Sequence, residues 1–310
     1  MIDIRNVSKR YGTVYALRDV SLSVEKGTVL GLLGQNGAGK TTLLNILTGY
    51  LAPTSGSVLL DGRDVLLEPE EARRQLGYLP EVPPLYDEMT VQEYLRYAAE
   101  LRNVEKRSIP GHVDEVMELC GLTSMRHRLL SHLSKGYRQR AGFAQALCGD
   151  PEVLVLDEPT VGLDPKQIVE IRSLIMKMGK GRTIVFSSHI LSEVQQLCDR
   201  VVILHDGVVK TSLNLKEQGA QENGNVTLLA TVGAAEKSIL PRVKALDGVV
   251  KAEVQPGRHV DQTTMLITFH GLTEPERRLF ALLSGLNVPI LHLSRQNGNL
   301  EQLFLRAISE

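Results

Sequence analysis

Residues 29–42 read Val29-Leu-Gly-Leu-Leu33 followed by Gly34-Gln35-Asn36-Gly37-Ala38-Gly39-Lys40-Thr41-Thr42. An apolar run of five residues predicts a buried strand, and an apolar helical pattern begins near Thr41. Between them lies Gly-x-x-x-x-Gly-Lys-Thr, a loop whose glycines let backbone N–H groups crowd around a phosphate. The N-terminus of the following helix adds positive potential at the same place. In such a loop the Lys40 ammonium reaches the β- and γ-phosphates, and the Thr41 hydroxyl ligates Mg²⁺. The strand–loop–helix context predicts a nucleotide triphosphate site, without saying what the nucleotide powers.

Working outward, the chain of 310 residues suggests one larger and one smaller domain. Its formal net charge of -1 gives no electrostatic case for nucleic-acid binding. The three cysteines, Cys120, Cys148 and Cys198, have no metal-ligand spacing and are expected to be buried, reduced thiols of a cytosolic protein. The N-terminus lacks the apolar core of a signal peptide. No apolar run approaches the roughly 18–20 residues that cross a bilayer. Any action on a membrane is therefore expected to go through a partner.

Along the chain, residues to about 31 alternate as strands, and Gly56–Leu60 with Asp61-Gly62 reads as a strand entering a tight turn. A helix-rich region follows from about Val91 to Gly149. Val153–Leu156, Thr183–Phe186 and Val201–Leu204 are continuous apolar runs of the kind buried in parallel sheets, with helical patterns at Lys166–Met178 and Leu191–Leu197 between them. This alternation predicts an α/β fold with a parallel core over residues 1–215, with a helical subdomain at about 84–150. A polar, glycine-containing linker is expected at 216–225. Residues 226–310 then read strand–helix–strand–strand–helix–strand with a helical tail at Leu300–Ile308, a split βαβ-like accessory domain.

Two further stretches bear on the phosphate loop. The apolar strand Val153–Leu156 ends in Asp157-Glu158-Pro159. Taken alone, that is a strand closed by a solvated acidic turn. Beside Gly34–Thr42, Asp157 is placed to hold Mg²⁺ through water and Glu158 to polarise an attacking water. Leu133-Ser134-Lys135-Gly136-Tyr137 comes shortly before, with Ser134 as expected N-cap of a helix running to Leu147. A capped helix N-terminus with a glycine allowing close approach is a second anion site, although most Ser-x-Gly helix starts are merely capped.

With these elements in order, the chain resembles the nucleotide-binding subunit of an ATP-binding cassette (ABC) transporter, a P-loop NTPase fold, over residues 1 to about 215. Leu133–Tyr137 resembles the family signature Leu-Ser-Gly-Gly-Gln, and Gly162-Leu-Asp164-Pro165 resembles the D-loop. His189 resembles the switch histidine that contacts the γ-phosphate, and Tyr11 the aromatic that stacks on adenine. The chain departs from the pattern at Lys135, Tyr137 and Glu81, the last standing where the family's Q-loop has a Mg²⁺-sensing glutamine. A carboxylate there still offers a metal ligand. Val82–Thr90, rich in proline, is a plausible docking surface for a membrane subunit.

The resemblance implies ATP and Mg²⁺ as cofactors and hydrolysis of ATP to ADP and phosphate. It further implies head-to-tail pairing with a second copy or a homologous ABC subunit, so that Ser134 and Gly136 cover the partner's nucleotide. A separately encoded transmembrane permease would hold the subunit peripherally on the cytoplasmic face of the cell membrane. Glu81, the signature and the C-terminal region look most like ABC-2-type export systems. A soluble ABC ATPase of a cytosolic assembly complex, such as an iron–sulfur scaffold, is the rival reading. The spacing of about a hundred residues between Gly34 and Leu133 disfavours coiled-coil DNA-repair members of the family.

Overall fold

Apolar runs with no polar face need cover on both sides, and the first unit of the chain is built to give it. The computed structural model describes residues 2–179, 181–215, 225–255, 262–272, 274–296, 300, 304 and 307. The chain divides into two compact units, meeting in sequence between Leu213 and Asn214.

The elements of the first unit follow in chain order. They are β1 (Ile2–Tyr11), β2 (Val14–Val24), β3 (Val29–Leu33), α1 (Lys40–Leu47), β4 (Ser55–Leu60), β5 (Arg63–Asp64), α2 (Pro69–Gln75) and β6 (Leu76–Leu79). The helical region holds α3 (Val91–Leu101), α4 (Ile109–Leu119) and α5 (Lys135–Leu147). Then come β7 (Val153–Leu156), α6 (Pro165–Met178), β8 (Thr183–Ser188), α7 (Leu191–Leu197), β9 (Arg200–His205) and β10 (Val208–Asn214). A six-stranded sheet runs β10-β9-β3-β8-β7-β6, and β9, β3, β8, β7 and β6 pair in parallel. Every residue of β7 and β8 is buried. A second, antiparallel sheet runs β2-β1-β4-β5. Helix α1 buries Leu43, Leu44, Ile46 and Leu47 in one core with both sheets, from Ile4 and Val58 of the antiparallel sheet to Val155 and Val202 of the parallel one. A helix apolar around so much of its circumference belongs inside, which fixes the phosphate loop at its N-terminus in place.

The second unit has its own core. Its elements are β11 (Asn225–Val232), α8 (Glu236–Lys244), β12 (Val249–Gln255), β13 (Thr263–His270), α9 (Pro275–Gly285) and β14 (Ile290–Gln296). The antiparallel order β12-β13-β11-β14 is the split βαβ, or ferredoxin-like, arrangement. Leu228, Ala230, Met265, Ile267 and Phe269 pack under Ile239, Val243, Leu279 and Leu283 of the two helices.

The sequence did not reveal α2, β6 or β10. Strand β6 has four residues, one of them glycine, too few for a periodic signal. The expected linker at 216–225, apart from Asn225, lies outside the described residues, as does most of the expected Leu300–Ile308 helix. Cys120, Cys148 and Cys198 are buried and unpaired, and burial pushes the Cys120 and Cys148 thiols up to about 12, so they stay protonated and inert. Among the described residues no helix is long and apolar enough to cross a membrane.

Helix α5 lies directly on β6. A Cβ on Gly77 would strike the Ala146 carbonyl oxygen and come 2.7 Å from Leu154 Cδ2. Gly77→Ala is therefore expected to destabilise the first unit by about 1–3 kcal/mol through forced overpacking. A lowered urea midpoint checks this, and an unchanged midpoint would show that α5 moves away freely.

Candidate nucleotide site

Strand β3 ends at Leu33, and the loop Gly34–Gly39 carries the chain into α1. Gly37 and Gly39 have φ of 83° and 102°, a region that side-chain-bearing residues avoid. A Cβ on Gly39 would also lie 2.6 Å from the Ala16 carbonyl oxygen. No side chain caps α1, and its first turn carries no acidic residue, so its N-terminal positive potential is left for a ligand. A cavity of about 340 Å³ opens there. Asn36, Gly37, Ala38, Gly39, Lys40, Thr41 and Thr42 line one side, and Ala16, Glu81, Glu158, Val161 and His189 the other.

Lys40 is only 6% exposed, and its ammonium is saturated by oxygen. Nζ donates to the carbonyls of Gly34 at 2.7 Å and Gln35 at 3.1 Å, and lies 3.2 Å from Glu158 Oε1. The other Glu158 oxygen lies 2.9 Å from His189 Nδ1. Glu158 thus bridges the loop lysine and the histidine after β8. It sits at φ 45°, unusual for a residue with a side chain, and its N–H donates to Ser187 Oγ at 2.9 Å. Asp157 is buried behind it. Ser187 Oγ donates to Asp157 Oδ1 at 2.6 Å, and the Thr41 hydroxyl acts on the same carboxylate. Burial pushes the Asp157 carboxyl above the usual range, and the neighbouring Glu158 charge adds to this. The hydrogen bonds from Ser187 and Thr41 and the Lys40 charge work the other way.

Comparison with known proteins decides what this arrangement belongs to. The family model described as ABC transporter matches residues 17–161. The uncharacterized ABC transporter ATP-binding protein YdbJ of Bacillus subtilis is 32% identical over 99% of this chain and 95% of its own length. The bacitracin transport ATP-binding protein BcrA of Bacillus licheniformis is 41% identical over 67% of each chain. A solved dimeric ATP-binding cassette, in a post-hydrolysis state with ADP and Pi, is 27% identical over 69% of this chain and 99% of that one, with a TM-score of 0.64. The chain belongs to the ABC transporter family. It is an ATP-binding subunit and an ATPase.

For this ABC cassette, the structure brings together Gly34–Thr42, Glu81, Asp157, Glu158 and His189. It keeps three other expected residues apart from the cavity. Ser134 stands at the N-cap of α5 as expected, but its side chain makes no capping hydrogen bond and is exposed. Gly136 is buried two residues on, in the first turn of α5, where a Cβ would come 2.7 Å from Gln167 Cδ of α6. The Lys135 ammonium rests on Gly162 of the turn before α6. Tyr11 ends β1, 52% exposed, with the Lys9 ammonium 5.3 Å from its ring centre. The sequence reading missed Ala16, Val161 and Ser187. Ser187 was within reach, since it lies two residues before His189 on an apolar strand.

A carboxyl whose pKa is raised on folding stabilises the folded state only while protonated. That stability is lost as pH rises from the ordinary aspartate range through the raised one. Asp157→Asn removes the buried charge. Without nucleotide, this variant is expected to match the parent's unfolding midpoint at acid pH and to exceed it increasingly towards neutrality. A midpoint difference independent of pH would show that Asp157 is not strained by burial.

Proposed function

We propose that the chain powers export through a separately encoded permease by hydrolysing ATP in sites shared between two ABC cassettes. The observation that supports this reading is that the residues a shared site would unite stand apart within one chain. The phosphate loop, Asp157, Glu158 and His189 surround the cavity, while Ser134 and Gly136, at an uncapped helix N-terminus, lie away from it. That helix start is placed to cover the nucleotide of a second copy or a homologous subunit.

Without nucleotide, Lys40 is held by two carbonyls and Glu158. Its attraction to Glu158 at 3.2 Å is on the order of 5 kcal/mol at an effective dielectric of about 20, before desolvation is counted. The β- and γ-phosphates of ATP offer Lys40 a greater negative charge. Once Lys40 turns to them, Glu158 is released to accept a proton from the attacking water. The water oxygen bonds to the γ-phosphorus, the bond to the β,γ-bridging oxygen breaks, and ADP leaves with the electron pair. His189, now bonded to Glu158, orients that carboxylate and faces the γ-phosphate. Tyr11, an exposed aromatic at the end of β1, is the ring that would stack on adenine.

Thr41 and Asp157 would hold Mg²⁺ through their oxygens, and Glu81, which lines the same cavity, would be a further oxygen ligand. The buried charge of Asp157 is the feature a divalent cation relieves. Among the described residues no cluster of three or more His, Cys, Asp or Glu forms a cage, and a cation shared with phosphates needs only one or two protein oxygens. Bound there, the metal neutralises charge developing on the phosphate oxygens.

The export reading follows the bacitracin transport relative and the Glu81 departure. It places the subunit on the cytoplasmic face of the membrane, held through its permease. The exposed Val82 and Tyr86 lie beside Glu81 in sequence and suit a docking surface for that partner.

Glu158→Gln is the decisive variant. Hydrolysis should fall by about 10²–10⁴-fold, the usual reach of a general base, while ATP still binds and drives the protein into a dimer seen by size exclusion. Near-parent turnover would remove Glu158 from its role. Purification from detergent-solubilised membranes should bring down a polytopic protein, and a solely soluble assembly in its place would refute the export reading.

A further inference from the structure

Two loops carry the Glu158–His189 pair, and nothing in the phosphate-binding motif holds them together. We propose that Glu193 is the positioning residue that does so. This rests on the reading of Glu158 and His189 given above.

Glu193 lies in the first turn of α7 with 0% exposure. Its Oε2 accepts one hydrogen bond from Thr160 Oγ1 and another from Ser188 Oγ, both at 2.9 Å. Thr160 stands two residues after Glu158, and Ser188 immediately precedes His189. One oxygen atom therefore ties the segment bearing the general base to the segment bearing the histidine. Ser188 Oγ also accepts from the Ile190 N–H at 3.0 Å, which fixes the turn on the far side of His189. The strained backbone at Glu158, with φ 45°, needs such a restraint to persist.

The choice of side chain argues for a role beyond filling space. An ionised carboxylate without water is costly to bury, and a well-packed apolar residue of the same size is often at least as stable. A methionine or leucine would fill this position but would leave two buried hydroxyls without an acceptor. The compensating cation is Arg172 of α6, whose Nη2 lies 3.5 Å from Glu193 Oε1. Arg172 Nε and Glu193 Oε1 are both buried without a hydrogen-bond partner, so the pair is one short movement from a closer contact. Arg172 Nη1 is bonded to Gln196 at 2.9 Å, which keeps the guanidinium over α7. Asp164 is the N-cap of α6, so Arg172 reaches Glu193 from the helix that follows the turn carrying Gly162.

The full chain tests this by steady-state ATPase assay and by titration with a fluorescent ATP analogue. Thr160→Val and Ser188→Ala should each lower kcat by about tenfold or more, as misplaced catalytic groups do, with nucleotide affinity within about twofold of the parent, and Glu193→Gln, whose amide oxygen still accepts from both hydroxyls, should lower it less. Thr160→Ser, which keeps the hydroxyl, should retain parental kcat. In a Glu158→Gln background Thr160→Val should cause no further loss, because its effect passes through Glu158. Parental kcat in Thr160→Val, or an equal loss in both backgrounds, would overturn the proposal while leaving the role of Glu158 intact. Parental hydrolysis by Glu158→Gln alone would instead remove the reading beneath it, and the proposal with it. Should Glu193→Gln fail to fold, the Thr160 variants carry the same decision.

Discussion

Lys40 and Glu158 face each other at 3.2 Å with side chains 6% and 10% exposed, and much of the site is arranged around their mutual neutralisation. Either charge alone at such a depth would be strongly destabilising, because removing one member of a buried pair leaves the other uncompensated. Paired, they hold the loop Gly34–Gly39 open around the cavity, since the Lys40 ammonium also clasps two of that loop's carbonyls. The pair and the two carbonyls therefore hold the loop in the shape that a phosphate requires. Binding exchanges one anion for another at Lys40 rather than assembling a pocket from disordered chain, which lowers the conformational cost of recognition.

The parallel sheet makes that meeting possible. Strands β3, β8 and β7 are neighbours, so the segments leaving their C-terminal ends emerge side by side. Residues 34–40, 157–158 and 187–189 converge there although well over a hundred residues separate the first from the others. Open α/β sheets place ligands at the carboxyl ends of strands for this reason. Strand β6 adds the fourth contribution. The Asp157 N–H donates to the Leu79 carbonyl at 2.8 Å, and Glu81 follows two residues later at the cavity wall.

Much of this was legible in the residues because each element announces itself locally. Gly34–Thr42 is a contiguous motif, Asp157 and Glu158 close an unbroken apolar strand, and β11 to β14 alternate cleanly enough to predict a split βαβ order. The Glu193 network was not legible. Thr160, Arg172, Ser188 and Glu193 sit in four different segments, and a glutamate in the first turn of a helix is most often a solvated favourable charge. Only the packing of α7 against β8 and α6 turns it into a buried acceptor. At Ser134 the position was legible and the bonding was not. Its sequence context says N-cap, and it occupies that position, yet its hydroxyl makes no capping bond.

The balance of charge around the cavity bears on the shared-site reading. Around the cavity one ammonium, Lys40, faces the carboxylates of Glu81 and Glu158, with Asp157 buried behind. A triphosphate brought into this wall meets an excess of negative charge that Lys40 and the N-terminus of α1 do not offset. A divalent cation held by Thr41 and Asp157 would supply two positive charges. Within the shared-site reading, the rest would come from the α5 N-terminus of the partner copy, whose helix potential no side chain of its own takes up.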